Sequence, residues 1–324
     1  MPLISIVISA HDRKKYLKDA LQSTLDQSFP RNNYEIIVVK NFIDEEIDKF
    51  IQENVILSVF TRDATLGQKM AAGIERSSGS IICFLDDDDK FVRDKLTYVY
   101  DAFTKINNLG YFHNASITID ETGRTLTKDF SAYPQKDIFI NELSTHEIKK
   151  ARKYNGDWFM SCISVSRELA QRSIPILKEQ KASFDKLLFY NAILTDMKML
   201  VSSKKLTYYR LHPSMTTIVD GKESLITKKK EFFLNTSMSL HSIMPEKNVI
   251  KGDIIELAFL HETVNYSILS GKRIKFREFL KFLRLSLIMG TPSDLKWAVL
   301  YALNLISNNI AKDFYVHTIV NSYS

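Results

Sequence analysis

The first 103 residues alternate short apolar runs with longer amphipathic stretches. The apolar runs are typical of strands buried on both faces, and they lie at residues 3–9, 34–39, 55–60 and 80–85. Stretches with a helical repeat of apolar positions follow them at residues 14–27, 44–52, 66–76 and 92–103. Strand and helix that alternate at such short intervals predict an α/β fold with a mostly parallel sheet and helices on both of its faces.

The pattern becomes less regular after residue 103 and changes again near residue 221. Residues 111–119, a turn at 120–123 and the segment from Arg124 onward predict a hairpin. Further strands are predicted at 157–166 and 206–210, and further helices at 141–153 and 184–201. From about Gly221 almost every stretch is helical. We therefore predict two regions, an α/β domain over 1–219 and a helical C-terminal region over 220–324.

One predicted core strand ends in four consecutive carboxylates. Residues 80–89 read SIICFLDDDD. In an extended backbone the side chains alternate, so Asp86 and Asp88 share one face while Asp87 and Asp89 share the other. A pair of carboxylates on one face presents the hard oxygen ligands that Mg²⁺ and Mn²⁺ prefer. The alternative is a solvated acidic loop in which Asp89 caps the next helix.

Other polar residues follow the predicted parallel strands at the same edge of the sheet. Ligands of such sheets bind beyond the carboxyl ends of the strands. At those ends lie Ala10-His11-Asp12-Arg13, Lys40-Asn41, Thr61-Arg62-Asp63 and the acidic run. Charged and polar side chains thus converge where a ligand of this fold would bind.

Composition narrows the class of protein. The chain has 324 residues, of which 45% are hydrophobic and 25% charged, as in ordinary folded proteins. Its net charge of +6 fits an anionic substrate or a membrane surface. Basic residues of the N-terminal region are matched by acids and lack aromatic interleaving, which argues against nucleic acid as a partner. Cys83 and Cys162 form no zinc or redox motif, and no apolar stretch approaches the ~20 residues of a membrane span, so we expect a cytoplasmic location.

Four stretches, in order, resemble family 2 glycosyltransferases of the GT-A fold. They are the opening strand and helix at 5–29, the strand at 34–39, the GIERSSGSIICFLDDDD stretch at 73–89, and Asp185 with the later Tyr209-Arg210-Leu211-His212. The resemblance covers about residues 3–218. It implies the GT-A nucleotide-sugar transferase fold and an inverting, metal-dependent transfer from a nucleotide-diphosphate sugar to a hydroxyl acceptor, such as a lipid-linked saccharide or another glycan.

The resemblance also implies roles for individual residues. Asp86, Asp88 and His212 would bind Mn²⁺ or Mg²⁺, and Asp185 would be the general base. The implied contacts to the nucleotide sugar are Ala10, His11, Arg13, Asn41, Lys69, Asp86, Asp87, Arg210 and His212. Structural alternatives stay open, because Asp185 also suits a helix N-terminus and His212 also suits a structural hydrogen bond.

Three departures from the family pattern keep a second function open. The family's Asp-Asp-Gly-Ser after the second strand is Lys40-Asn41-Phe42-Ile43, its Arg-Asn pair is Met70-Ala71, and its acidic pair is Phe184-Asp185. The alternative is a catalytically degenerate GT-A-like protein that binds a nucleotide sugar or a partner without transfer. A third hypothesis is a nucleotidyltransferase, and the lack of a Gly-rich phosphate loop after the first strand argues against it.

Residues 272–289 predict a basic amphipathic helix. Six basic residues stand against one acid in this segment, and Phe276, Phe279, Leu280, Leu283 and Leu287 fall on one helical face, with Phe282 and Leu285 outside it. Such a helix can lie on an anionic membrane or pack on the catalytic domain with a solvated basic rim. The first alternative predicts peripheral association with the inner face of the cell membrane through residues 272–289.

Overall fold

The chain forms two compact units. The computed structural model describes residues 3–11, 14–62, 64–127, 132–141, 145–179, 183–195, 197–212, 222–245 and 250–323. Contacts group Met1–Glu147 with Ala151–Leu211 in the first unit, and Ile148–Lys150 with His212–Ser324 in the second. The predicted boundary at residue 219 lies outside the described residues, so its position stays a prediction.

The first half of the first unit follows the predicted alternation of strand and helix. Its elements are β1 (Ile4–Ala10), α1 (Leu17–Leu25), β2 (Tyr34–Lys40), α2 (Glu45–Glu53), β3 (Leu57–Phe60), α3 (Leu66–Arg76), β4 (Ile81–Asp86), β5 (Lys90–Phe91) and α4 (Lys95–Lys105). The second half contains β6 (Leu109–Ile119), β7 (Ile138–Ile140), α5 (Thr145–Lys153), β8 (Ile163–Ser166), α6 (Arg167–Glu179), α7 (Phe184–Leu194) and β9 (Lys198–Arg210).

The described strands form one nine-stranded sheet in the order β3-β2-β1-β4-β8-β6-β9-β5, with β7 also paired to β9. The long ladders are parallel: β1 pairs with β2 and β4, β2 pairs with β3, and β6 pairs with β9. The antiparallel pairings of β8, β5 and β7 each span only two or three residue pairs. The sheet is therefore mostly parallel by paired length, as predicted.

Helices cover both faces of the sheet. Ile6 and Ile8 of β1 share a core with Leu21 of α1 and Leu96 of α4. The opposite face of β1 lies against α3, where Gly73 approaches Val7 so closely that an added Cβ would lie 2.3 Å from its Cγ1. The small residue is what allows the helix to approach the strand at this point.

Two predicted boundaries were wrong. The helix predicted at 184–201 ends at Leu194, and residues 198–201 belong to β9, which is thirteen residues long. The strand predicted at 157–166 is confined to Ile163–Ser166, and α6, which was not predicted, follows it. Both errors fall in segments rich in apolar residues, where periodicity does not distinguish a buried helix from a buried strand.

The second unit is helical, as predicted. Its elements are α8 (Lys222–Ser242), α9 (Ile250–Leu269), α10 (Phe276–Met289), α11 (Pro292–Ile306) and α12 (Asn308–Tyr323). Aromatic side chains form much of its core: the Tyr301 ring lies 4.7 Å from that of Phe282, and the Trp297 ring lies 5.6 Å from that of Tyr315. Across the described part of the chain, the helices are too short or too polar to span a bilayer.

Candidate active site

The acidic run forms a turn at the carboxyl end of β4. Asp86 is the last residue of the strand, and the Asp89 amide donates to the Asp86 carbonyl oxygen at 3.4 Å. This turn brings carboxylate oxygens of Asp86, Asp88 and Asp89 within 4.8 Å of one another. The predicted pair of Asp86 and Asp88 is thus brought together, and Asp89 joins it. The prediction that Asp89 lies on the opposite face was wrong, because the extended backbone ends at Asp86. The prediction that Asp89 caps the next helix was also wrong, because α4 begins after Asp94.

Burial and charge make Asp89 an unusual carboxyl group. It is buried, and its burial together with the neighbouring Asp88 carboxylate raises its pKa to about 8. Hydrogen bonds from the Ser161 hydroxyl and the Arg210 amide act in the opposite direction. The Ser161 oxygen also accepts from the Asp86 amide at 3.0 Å. Three convergent carboxylates that repel one another fit a divalent cation, which would favour the ionised form of all three.

Asp87 faces the first strand instead. It is buried, and its carboxylate accepts from the His11 amide at 3.1 Å. The buried Lys69 amino group donates to the Ala10 carbonyl oxygen at 3.2 Å and lies 2.5 Å from the His11 Nδ1. Four residues predicted to contact the nucleotide sugar are therefore gathered at the carboxyl end of β1. Arg13, a fifth, lies outside the described residues.

The carboxyl end of β2 carries Asn41, which was predicted to contact the nucleotide sugar. Asn41 is half-buried there. The Lys40 side chain is buried, and its amino group donates to the Phe42 carbonyl oxygen at 2.6 Å and pairs with Asp48 at 2.7 Å. Lys40 is thus bound within the loop, and the contact of Asn41 with the nucleotide sugar stays a prediction.

Arg210 is a structural link in the first unit. Its buried guanidinium donates to the Asp88 carbonyl oxygen at 2.8 Å, the Glu121 carbonyl oxygen at 3.1 Å and the Asp19 carboxylate at 3.1 Å. The resemblance implied that Arg210 contacts the nucleotide sugar. The bonds seen in the structure hold the backbone of the acidic run, and the contact with the nucleotide sugar stays a prediction. His212 is buried at the end of a described segment, in the second unit.

Asp185, the predicted general base, is a hydrogen-bonded carboxylate whose pKa is shifted by burial. It lies in the first turn of α7, where its carboxylate accepts from the Phe159 amide at 3.2 Å and from the Lys186 amide at 2.9 Å. Burial is the main cause that raises its pKa to about 6, and Asp157 acts in the same direction. Its hydrogen bonds and Lys186 oppose this rise.

Two aromatic residues connect Asp185 with the carboxylate cluster. Phe159, whose amide donates to Asp185, has a φ of +64°, a strained conformation for a bulky residue. Its ring lies 4.6 Å from that of Tyr209. Burial, followed by the charges of Asp89, Asp88 and Asp86, raises the pKa of Tyr209 above its usual value. Tyr209 is therefore close enough to the carboxylate cluster to sense its charge. Its ring contacts Phe159, whose amide donates to Asp185.

Sequence reasoning missed two buried charged groups near this site. Asp157 supplies a second acid near Asp185 from a distant part of the chain, where only the adjacent Phe184 position had been considered. Lys95 is fully buried, and its amino group donates to the Ser161 carbonyl oxygen and, at 3.0 Å, to the Thr207 hydroxyl. Burial lowers the pKa of Lys95 to about 8. Neither residue stands in a motif, so only the tertiary structure reveals it.

Comparison with known families decides the classification. The family model for glycosyl transferase family 2 matches residues 5–169, half of the chain. The chain belongs to glycosyltransferase family 2. The chain is 24% identical over 220 residues to an uncharacterized glycosyltransferase of Nostoc, and the match covers 64% of this chain and 65% of that protein. It is 29% identical over 102 residues to the putative teichuronic acid biosynthesis glycosyltransferase TuaG of Bacillus subtilis, which covers 29% of this chain and 39% of TuaG.

The chain spans less than two thirds of the length of these relatives, and 21% of one from Rickettsia bellii. Solved structures show its fold. TarS 1–349 of S. aureus in complex with UDP-GlcNAc superposes with a TM-score of 0.61 at 15% identity, over all of this chain and 91% of that one. The mannosyltransferase PcManGT of Pyrobaculum calidifontis in complex with GDP-Man and Mn²⁺ gives 0.55 at 10% identity, over 96% and 87%. The predicted GT-A fold is confirmed.

Proposed function

We propose that this protein transfers a sugar from a nucleotide-diphosphate sugar to a hydroxyl acceptor with inversion at the sugar. The observation that carries the proposal is the cluster of Asp86, Asp88 and Asp89 at the carboxyl end of β4, the edge where ligands of such sheets bind. The nucleotide sugars in the TarS and mannosyltransferase structures support the donor class. Both are structures of other proteins, so the donor of this chain is part of the proposal.

A divalent ion, Mn²⁺ or Mg²⁺, would be held by the three clustered carboxylates. Its chemistry, when bound, is to offset negative charge on the departing diphosphate. Ser161 and the Arg210 amide hold Asp89 in position toward this site. His212 stays a predicted fourth ligand. The predicted donor contacts at the strand ends, from Ala10, His11, Asn41, Lys69 and Asp87, are part of the same proposal.

Asp185 would remove the proton from the acceptor hydroxyl. A carboxylate with a pKa of about 6 is ionised at neutral pH and is a stronger base than an ordinary aspartate. The two amides that bind it, from Phe159 and Lys186, fix the direction of its oxygens. A single base that acts on the acceptor is what one direct, inverting displacement requires.

The acceptor and the cellular location are also proposals. We propose a lipid-linked saccharide or another glycan as acceptor, and a cytoplasmic location. Both cysteines are free and buried, which suits a reducing compartment. Peripheral association with a membrane would bring such an acceptor to the enzyme.

A donor panel tests the proposal. Thermal unfolding and product formation would be measured with UDP-, GDP- and dTDP-sugars, with and without Mn²⁺, for the wild type, Asp88→Asn and Asp94→Asn. We expect one donor class to be used only with metal, and Asp88→Asn to lower turnover by about 10³-fold because a metal ligand is lost.

Asp94→Asn is the matched control, because Asp94 is an exposed carboxylate in the same region with no side-chain capping bond. We expect it to retain turnover and the metal-dependent shift. Nucleotide-sugar binding without turnover for every donor would favour the degenerate binding protein. Full activity of Asp88→Asn would remove the metal role of the cluster.

A further inference from the structure

Helix α10 has two apolar faces, and only one of them lies inside the second unit. Phe282, Leu285 and Met289 are buried, and the Phe282 ring packs on Tyr301 of α11. The sequence pattern had placed Phe282 and Leu285 outside the apolar face. In the structure they are the residues that attach the helix to its core, so the predicted face has another role.

Three of the five residues on the predicted apolar face of α10 are exposed, and the other two, Phe279 and Leu283, are half-buried. Phe276, Leu280 and Leu287 expose 63%, 47% and 66% of their surface. Their spacing of four and seven residues places them in one stripe along the helix. Helix α10 therefore exposes as many large apolar side chains in this stripe as it buries through Phe282, Leu285 and Met289. A contiguous exposed stripe of this kind marks an interaction surface.

The next helix repeats the pattern. Leu295, Val299 and Ile306 of α11 have the same spacing and expose 42%, 63% and 70% of their surface. Its opposite side is buried through Tyr301, which donates a hydrogen bond to the His261 carbonyl oxygen at 3.2 Å. Two successive helices therefore each attach to the core by one side and leave an apolar stripe exposed on another.

Within residues 271–299, the exposed charged residues are all basic. The structure describes all of residues 271–299, and every basic residue there is exposed: Lys272, Arg273, Lys275, Arg277, Lys281, Arg284 and Lys296. The two acidic residues of this segment each accept a hydrogen bond at the N-terminus of their own helix. Glu278 accepts from the Lys275 amide at 3.1 Å, and the buried Asp294 accepts from the Thr291 hydroxyl at 2.9 Å. One cation, Lys281, pairs with Glu256 of α9.

Two of the cations lie beside the stripe. A helix turns about 100° per residue, so Arg277 and Arg284, seven residues apart, project on the same side of α10, next to Phe276 and Leu287. The Lys272–Lys275 loop is fixed at the start of the helix, because Asn304 accepts from the Ile274 amide at 2.8 Å and donates to the Lys272 carbonyl oxygen at 3.2 Å. The basic residues are thus held on ordered backbone next to the apolar stripe.

We infer that α10 and the loop before it bind the surface of an anionic lipid bilayer. Phe276, Leu280 and Leu287 would enter the boundary between headgroups and acyl chains, and Arg277 and Arg284 would contact lipid phosphates. A second copy of the chain fits less well, because a two-fold contact through this face would place the same cations opposite one another. Nucleic acid would satisfy the cations but leave the aliphatic stripe in water. Lipid binding needs no sugar transfer, so it can be tested separately.

Vesicle sedimentation of the full chain tests the inference. Vesicles of phosphatidylcholine alone, and with about 30% phosphatidylglycerol, would be compared at ~0.1 M and ~0.5 M NaCl. We expect binding to the anionic vesicles that weakens at high salt. Arg277→Gln/Arg284→Gln should weaken it about 30-fold, the combined effect of two cations at an anionic surface. Leu280→Ser/Leu287→Ser should weaken it while preserving the salt dependence.

Lys49→Gln/Arg172→Gln is the matched control, since it removes two exposed cations from the first unit. Thermal unfolding checks that each variant is folded, and the arginine pair is exposed, so its replacement should leave the fold intact. Equal binding by the arginine variant and the control would overturn the inference, as would lack of vesicle binding by the wild type. A dimer that dissociates in the leucine variant without vesicle binding would identify a second copy as the occupant instead.

Discussion

The two ends of the central strands hold their carboxylates in opposite ways. At the amino ends of β1, β2 and β4, Glu35 accepts from the Ser5 hydroxyl at 2.6 Å, the Ser78 amide at 2.5 Å and the Gly79 amide at 3.3 Å. Burial opposes its ionisation, yet these donors lower the pKa of Glu35 below its usual value. At the carboxyl end of β4, burial and Asp88 raise the pKa of Asp89 to about 8.

The difference separates a carboxylate that holds the fold from carboxylates that are suited to a ligand. The amino end is closely packed: a Cβ on Gly79 would lie 2.6 Å from the Ile4 carbonyl carbon and the Ser5 nitrogen, so only glycine fits there. Donors are supplied to one carboxylate at that end. At the other end three carboxylates share one space. We therefore expect substitutions at the carboxyl end to affect activity, and those at the amino end to affect stability.

Replacement of Asp185 should give the largest effect. Asp185→Asn removes the proposed base and should lower turnover by about 10²–10⁴-fold, with little change in donor binding. In the wild type, turnover should fall as pH drops through about 6, because Asp185 becomes protonated. Product formation across a pH series measures both. Wild-type turnover that is unchanged between pH 5 and 7, at roughly constant donor binding, would remove Asp185 from this role.

The same substitution should not destabilise the fold. The pKa of Asp185 is about 6 in the folded state, above its ordinary value, so the folded state binds the proton more tightly than the unfolded state between those values. Its contribution to stability is present at low pH and is lost as pH rises through about 6. Asparagine lacks this loss, so Asp185→Asn should be as stable as the wild type, or more so, at pH 7.

Replacement of Glu35 should have the opposite outcome. Glu35→Ala leaves the Ser78 and Gly79 amides without this acceptor and should lower the free energy of unfolding by about 2–3 kcal/mol. Because the pKa of Glu35 is lowered, its contribution is present above the ordinary value and is lost as pH falls through the folded pKa. Urea unfolding at several pH values measures this, and turnover per folded molecule should stay at the wild-type level. A fall in turnover without a fall in stability would contradict the comparison.

The local sequence pattern was enough to predict the central strands and the helix α3 that packs on them. Helix α3 has the predicted bounds, β2 is one residue longer than predicted, and β1 and β4 are each shifted by one residue. Each is a short periodic or apolar run with polar residues around it. The position of the carboxylates at the carboxyl edge then follows from the parallel topology. The family resemblance and the acidic run were both visible in sequence.

Contacts between distant segments explain what could not be predicted. Asp89 joins the cluster because the chain turns after Asp86, and Asp157 reaches Asp185 only through the fold. The wide apolar arc of α10 is divided between core and solvent by its neighbours, since the Phe282 ring packs on Tyr301. Periodicity shows that a helix has an apolar face, but the packing partners decide which part of that face is buried.

The smallest expected effect concerns Ser161, which positions two of the clustered carboxylates. Its hydroxyl oxygen accepts from the Asp86 amide at 3.0 Å, and it also hydrogen-bonds Asp89. Ser161→Ala should raise the Mn²⁺ concentration needed for half-maximal turnover by about tenfold, while turnover at saturating metal changes little. Ser164→Ala is the control, because Ser164 is a buried serine three residues away that bonds the Cys83 sulfur at 3.3 Å. An equal metal requirement in both variants would show that the Ser161 hydroxyl supports only the fold. A shift in Ser161→Ala alone would show that the carboxylates at the carboxyl end of β4 depend on a hydrogen-bond donor for their geometry, as Glu35 depends on donors for its charge.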